Sequence, residues 1–70
     1  MSLIDAAIIK EMDTWRGLHR VLPVATEEQL WELLRMEQQG RRRKHYLIRL
    51  YGRANKLRYE REYAALLAAA

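Results

Sequence analysis

Apolar residues recur at intervals of three and four through three stretches of this chain and lose that interval between them. Ile4, Ile8, Met12 and Trp15 form the first series. Ser2 and Asp5 ahead of it read as an N-cap with a carboxylate reaching back, and Gly17 behind it as a left-handed stop, which predicts a helix over residues 3–16. The segment from Gly17 to Val24 has no helical period, and Pro23 pushes Leu22 toward extended geometry, so an ordered connector is expected with Val21, Leu22 and Val24 docked on the core. Thr26-Glu27-Glu28-Gln29 is a capping box with acids in the first turn. Leu30, Leu33, Leu34 and Met36 follow it, predicting a second helix over 26–38 that ends on Gly40 as a left-handed cap.

The third series organises the rest. Over residues 41–67 a helical wheel at about 100° per residue gathers Tyr46, Leu47, Leu50, Ala54 and Leu57 on one side and Arg42, His45, Arg49, Arg53 and Lys56 on the other. Gly52 stands mid-helix at a cost of about 1 kcal/mol relative to alanine, which calls for close approach of another backbone or a mild kink. Arg61 falls on the apolar side, so the seam either frays beyond Leu57 or pairs Arg61 with an acid such as Glu37. The alanine-rich tail favours helix, with its last residues expected to fray.

These elements predict an all-α fold: one domain over residues 1–70, a short N-terminal helix, then an antiparallel hairpin whose long C-terminal helix is basic and amphipathic. Leu30, Leu33, Leu34, Leu47, Leu50, Ala54 and Leu57 are the expected core or dimer seam. A single bent helix over 26–67 is the alternative, and it would demand a dimer. A chain of 70 residues buries only ~60% of its unfolded surface, so a second copy or a partner is expected to help it, and a homodimer is the expected state.

Charge divides the chain. Residues 1–40 hold seven acids against four bases, residues 41–70 nine bases against two acids, and the whole carries +4. An acidic half folding onto a basic half neutralises much of this internally. With no cysteine there is neither a disulfide framework nor a thiolate site, which fits the cytoplasm. The N-terminus lacks a basic region and a cleavage site, and Asp5, Lys10 and Glu11 interrupt its apolar run, so neither a signal peptide nor a membrane span is expected.

Catalysis and metal binding have little support. His19 and His45 stand apart, without paired carboxylates, an activated nucleophile or further ligands at helical spacing, so no enzyme activity, metal or cofactor is expected. Arg41-Arg42-Arg43-Lys44 opposes the dipole of the helix it opens, which is unfavourable unless an anion or an acidic surface lies nearby. Arg42, Arg43, Tyr46, Arg49, Tyr51, Arg53 and Lys56 are therefore the expected partner-binding residues, Tyr and Arg being types enriched at interface hot spots. The bland alternative is a solvated basic turn facing the acids of the second helix. The same row suits a phosphate backbone, and Gln38 to Arg41 has the length of a helix-turn-helix turn, although Asn55 is the only base-reading amide nearby and it lies on a different face.

From Glu28 the sequence runs E-x-x-x-x-L-L-x-x-E-x-x-G-R-x-R-K, and from Arg49 it runs R-L-Y-x-R-x-x-x-L-R-x-x-R-E. This pattern, within Glu27 to Leu67, resembles small basic helical early proteins of Mu-like phages and prophages. It is similar in kind to phage anti-quorum-sensing proteins that bind a host transcription activator. The resemblance implies a non-enzymatic phage product, often dimeric, that binds and redirects a host protein in the bacterial cytoplasm, with the first 24 residues outside it. A small DNA-binding regulator using the basic helix is the alternative, and a structural element of a phage particle a third reading.

Overall fold

A computed structural model describes residues 4–70. These residues form four helices and no strand: α1 (Ala6–Glu11), α2 (Trp15–Val21), α3 (Glu27–Gln39) and α4 (Lys44–Ala69). The all-α class and the long C-terminal helix are as the periodicity predicts. Ser2, expected as the first N-cap, lies outside the described residues. Asp5 caps instead, its Oδ1 accepting from the amide of Ile8 at 2.9 Å, so the first helix begins at Ala6.

The predicted helix over 3–16 is two helices. Thr14 ends the first by capping the second: its extended backbone (φ −126°, ψ 154°) lets Oγ1 accept from the Gly17 amide at 3.0 Å, and α2 starts at Trp15. Gly17 is thus no helix stop. It lies buried inside α2, where an added Cβ would stand 1.8 Å from the Glu11 carbonyl oxygen. The glycine lets the first turn of α2 lie directly on the end of α1. Much of the expected connector is therefore helical, with Leu22 to Val24 forming the turn that follows. Val21 is buried and Leu22 partly so, but Val24 is 79% exposed and does not dock.

At α3 the capping box is complete, with Gln29 N to Thr26 Oγ1 at 3.1 Å and Thr26 N to Gln29 Oε1 at 2.9 Å. The helix does not end in a left-handed glycine. Gly40 has φ −110°, and the positive φ falls on Arg42 at 53°. The amide of Arg42 closes the turn on the Glu37 carbonyl at 2.9 Å, while its Nε donates to the Gln38 carbonyl at 3.1 Å. Arg41 to Arg43 consequently belong to the turn, and α4 starts at Lys44 rather than Arg41.

Leu18, Leu30 and Leu50 are completely buried, and Ile4, Met12, Val21, Ala25, Leu33, Leu34, Tyr46 and Ala54 complete the core, with Leu47 and Leu57 packed against it. The leucine series of α3 and α4 is thus spent within one chain. Contacts between these helices run in reverse order: Glu37 with Arg43, Trp31 with Tyr51 at 6.1 Å between ring centroids, and Glu27 with Arg61. An added Cβ at Gly52 would meet no atom within 4 Å, so none of the described residues approaches it closely. Arg61 pairs with Glu27, not Glu37. From Arg58 onward every residue is exposed, so α4 outruns the core by about 18 Å at 1.5 Å per residue.

Candidate functional site

Five ion pairs among the described residues sort the charges. Arg20 meets Glu11 at 2.6 Å, Arg35 meets Glu32, Arg41 meets Asp13 at 3.2 Å, Arg43 meets Glu37 at 2.7 Å, and Arg61 meets Glu27 at 2.9 Å. Three of these join the acidic half to the basic half, as the charge division suggests. Hydrogen bonds from Arg43 hold the Glu37 carboxyl below the usual carboxylate range against the opposing effect of burial. Glu27 is lowered likewise, by Arg61 first and then by the Trp31 indole N–H at 3.1 Å.

This sorting divides the expected binding residues. Arg43 and Tyr46 are structural: the Arg43 guanidinium lies 3.5 Å over the Tyr46 ring while bound to Glu37, and Tyr46 is only 8% exposed. A cation–π stack with an ion pair behind it leaves neither group free for a partner. Tyr51 is exposed and packs beside Trp31, but it is offset by two positions from both Arg49 and Arg53, roughly 200° around the helix, so it does not share their row. Arg49, Arg53 and Lys56 do form an open side of α4, and Arg42 is exposed in the turn before it. None of them meets an acid; Arg53 is half-buried with its Nε donating to the Leu22 carbonyl at 3.2 Å, and the other three are exposed.

Between these cations lies a groove of about 430 Å³ lined by Leu22, Ile48, Arg49, Gly52, Arg53 and Lys56. Gly52 forms its floor because it has no side chain to fill it. Ile48, 56% exposed, and Leu22 supply apolar surface, and the three cations supply charge.

A further group joins this side near its start. The indole of Trp15 lies 4.5 Å from the His19 ring, 6.3 Å from His45 and 5.6 Å from Tyr46, all edge-on. His19 Nδ1 is 2.8 Å from the Trp15 carbonyl oxygen one turn back. Sequence reasoning kept the two histidines apart because it placed His19 in an aperiodic connector; the Trp15–His19 spacing of one helical turn was the missed signal. Among the described residues, no three or more His, Cys, Asp or Glu side chains gather closely enough to hold a metal ion, and no helix is long and apolar enough to cross a membrane. Comparison with protein-family models, curated proteins and solved structures gives no match to this chain.

Proposed function

We propose that this protein is a non-enzymatic binding module whose cations Arg42, Arg49, Arg53 and Lys56 dock on an acidic surface of another protein. One observation carries the reading. Among the described cations that meet no acid, Arg49, Arg53 and Lys56 stand together around a groove with an apolar floor, and Arg42 is exposed in the turn before α4. Cations against water alone need no groove; a protein surface offering carboxylates around an apolar side chain uses both parts. In this reading α3 and α4 act as an antiparallel hairpin that holds the row rigid. The resemblance to small phage products makes a host transcription regulator in the bacterial cytoplasm the partner class to test first, with inhibition or redirection of that regulator as the outcome.

The test is capture of partners from a nuclease-treated bacterial lysate at moderate salt, with wild type beside the double variant Arg49→Glu, Lys56→Glu. One protein retained by the wild type and lost by the variant is the expected result. Equal retention by both would remove this face from the reading.

Nucleic acid is the second reading, and the Trp15, His19 and His45 cluster favours it, because an exposed indole beside two imidazoles at the start of a basic helix suits base stacking beside phosphates. It requires duplex or single-strand affinity that falls steeply between low and physiological salt. No binding at low salt would exclude it.

A further inference from the structure

α4 carries a second stripe, on the side away from Leu50 and Ala54. Ile48, Gly52, Asn55, Tyr59, Tyr63 and Leu66 follow one another at steps of three and four. Four of them are large and open, Ile48 at 56%, Tyr59 at 66%, Tyr63 at 51% and Leu66 at 71% exposed. Tyr59 and Tyr63 stack with 5.9 Å between centroids and 18° between planes. From Tyr63 to Ala70 there is no charged side chain. A helix that is apolar all round is one built to be enclosed, yet none of the other described residues encloses these.

The two ends of the stripe complement each other. Upstream is the groove over Gly52, an apolar floor rimmed by Arg49, Arg53 and Lys56. Such a site takes an aromatic ring with carboxylates beside it, through stacking against guanidinium groups and ion pairing at the rim. Downstream, Tyr59-Glu60-Arg61-Glu62-Tyr63 presents that combination, since Arg61 is already tied to Glu27. A single straight helix cannot fold its end back onto its own start.

We propose that a second copy of this chain fills the groove: two α4 helices pack antiparallel about Arg58, so that Tyr63 of each lies over Gly52 of the other. Charge sets the direction. Residues 44–56 contain four bases and no acid, while Glu60 and Glu62 are the acids of α4. A parallel pair would press the two basic halves together, whereas an antiparallel pair lays each basic half against the other copy's glutamates and sets Lys56 opposite Glu60 in both directions. The helix ends agree. α4 has no acid in its first turn and no base in its last, and an antiparallel neighbour brings Arg49 of the second copy beside the uncompensated last turn.

The area suffices as well. A tyrosine encloses roughly 150–250 Å² when buried, so covering Tyr59, Tyr63, Ile48, Leu66 and Leu67 on both copies brings the contact near the ~1,200 Å² at which specific interfaces begin. This dimer does not rest on the foreign-partner reading and competes with it, because the groove between Arg49, Arg53 and Lys56 holds either Tyr63 of a second copy or an acidic partner.

The test is sedimentation equilibrium on the purified, nuclease-treated full chain, which involves no foreign partner and so fails separately from the reading above. A reversible monomer–dimer equilibrium is expected. Tyr63→Asp, outside the core and therefore without effect on helix content, raises the dimer dissociation constant by roughly tenfold or more. Gly52→Leu, which fills the groove, does the same. Lys56→Glu and Glu60→Lys each weaken self-association alone, and mixing the two variants yields a heterodimer tighter than either homodimer. A wild type that stays monomeric, a dimer indifferent to Tyr63→Asp, or a mixture no tighter than its components would overturn the proposal.

Discussion

Glu37, 6% exposed, accepts three hydrogen bonds from one residue, Arg43: from its backbone amide at 2.9 Å, its Nε at 2.9 Å and its Nη2 at 2.7 Å. The pair locks the α3–α4 turn, since a single arginine both serves as N-cap residue of α4 and neutralises the carboxylate at the end of α3. It also puts a side chain expected to meet a partner to work inside the fold.

Arg43→Ala leaves that carboxylate enclosed without a counter-charge. Breaking a buried pair costs about 3–5 kcal/mol, and the 25% exposure of the Arg43 side chain puts the expected loss at the lower end, still a large share of a small domain's stability. Urea unfolding at neutral pH measures it. Arg43→Lys should recover only part, because an ammonium cannot reproduce the fork that reaches both carboxylate oxygens.

The same pair makes stability depend on acid. Glu37 and Glu27 both titrate lower in the folded chain than a free glutamate, so each contributes stability that is complete above the unfolded value near 4.5 and is lost as pH falls through the folded value below it. Thermal unfolding followed from pH 7 downward should therefore stay flat until about 4.5 and then decline. Glu37→Gln should flatten the decline, and an unchanged acid limb in that variant would show that Glu37 does not drive it.

Two glycines predict opposite responses to alanine. At Gly17 the added carbon would stand 1.8 Å from the Glu11 carbonyl oxygen, so α1 and α2 must separate, at a cost of about 3 kcal/mol or more. At Gly52 the added methyl meets nothing, and the helix-propensity gain of about 0.5–1 kcal/mol remains. Denaturant midpoints of the two variants should move in opposite directions.

Arg42 holds φ at 53°, a conformation that costs an ordinary residue roughly 1–2 kcal/mol. Arg42→Gly removes this strain and forfeits the Nε bond to the Gln38 carbonyl, an exposed contact, so a net gain of up to about 1 kcal/mol is expected. Because Arg42 is also one of the proposed partner-binding cations, the variant should gain stability while losing affinity for an acidic partner. The two effects are read from melting and from binding.

Much of the fold is legible in the residue pattern. The leucine series, the Thr26–Gln29 box and the alanine-rich tail identify α3 and α4, because hydrophobic period and cap chemistry are local properties that neighbouring helices reinforce. The row of Arg49, Arg53 and Lys56 is legible for the same reason, since helical spacing puts these residues on one side, whereas Arg42 lies in the turn before α4, where helical spacing does not apply. Other features depend on contacts distant in sequence or on competition between local signals. Ile4, Ile8, Met12 and Trp15 keep step through a break, since Thr14 offers a cap that periodicity does not register and Gly17 is required by the approach of Glu11. Arg43 and Tyr46 look like partner residues until Glu37 and Trp15 close on them from other helices. The sequence by itself determined the all-α class, the extent of α3 and most of α4, and the alignment of Arg49, Arg53 and Lys56. Only the tertiary structure decided which of those cations are consumed, because pairing depends on where the acids of other helices come to rest.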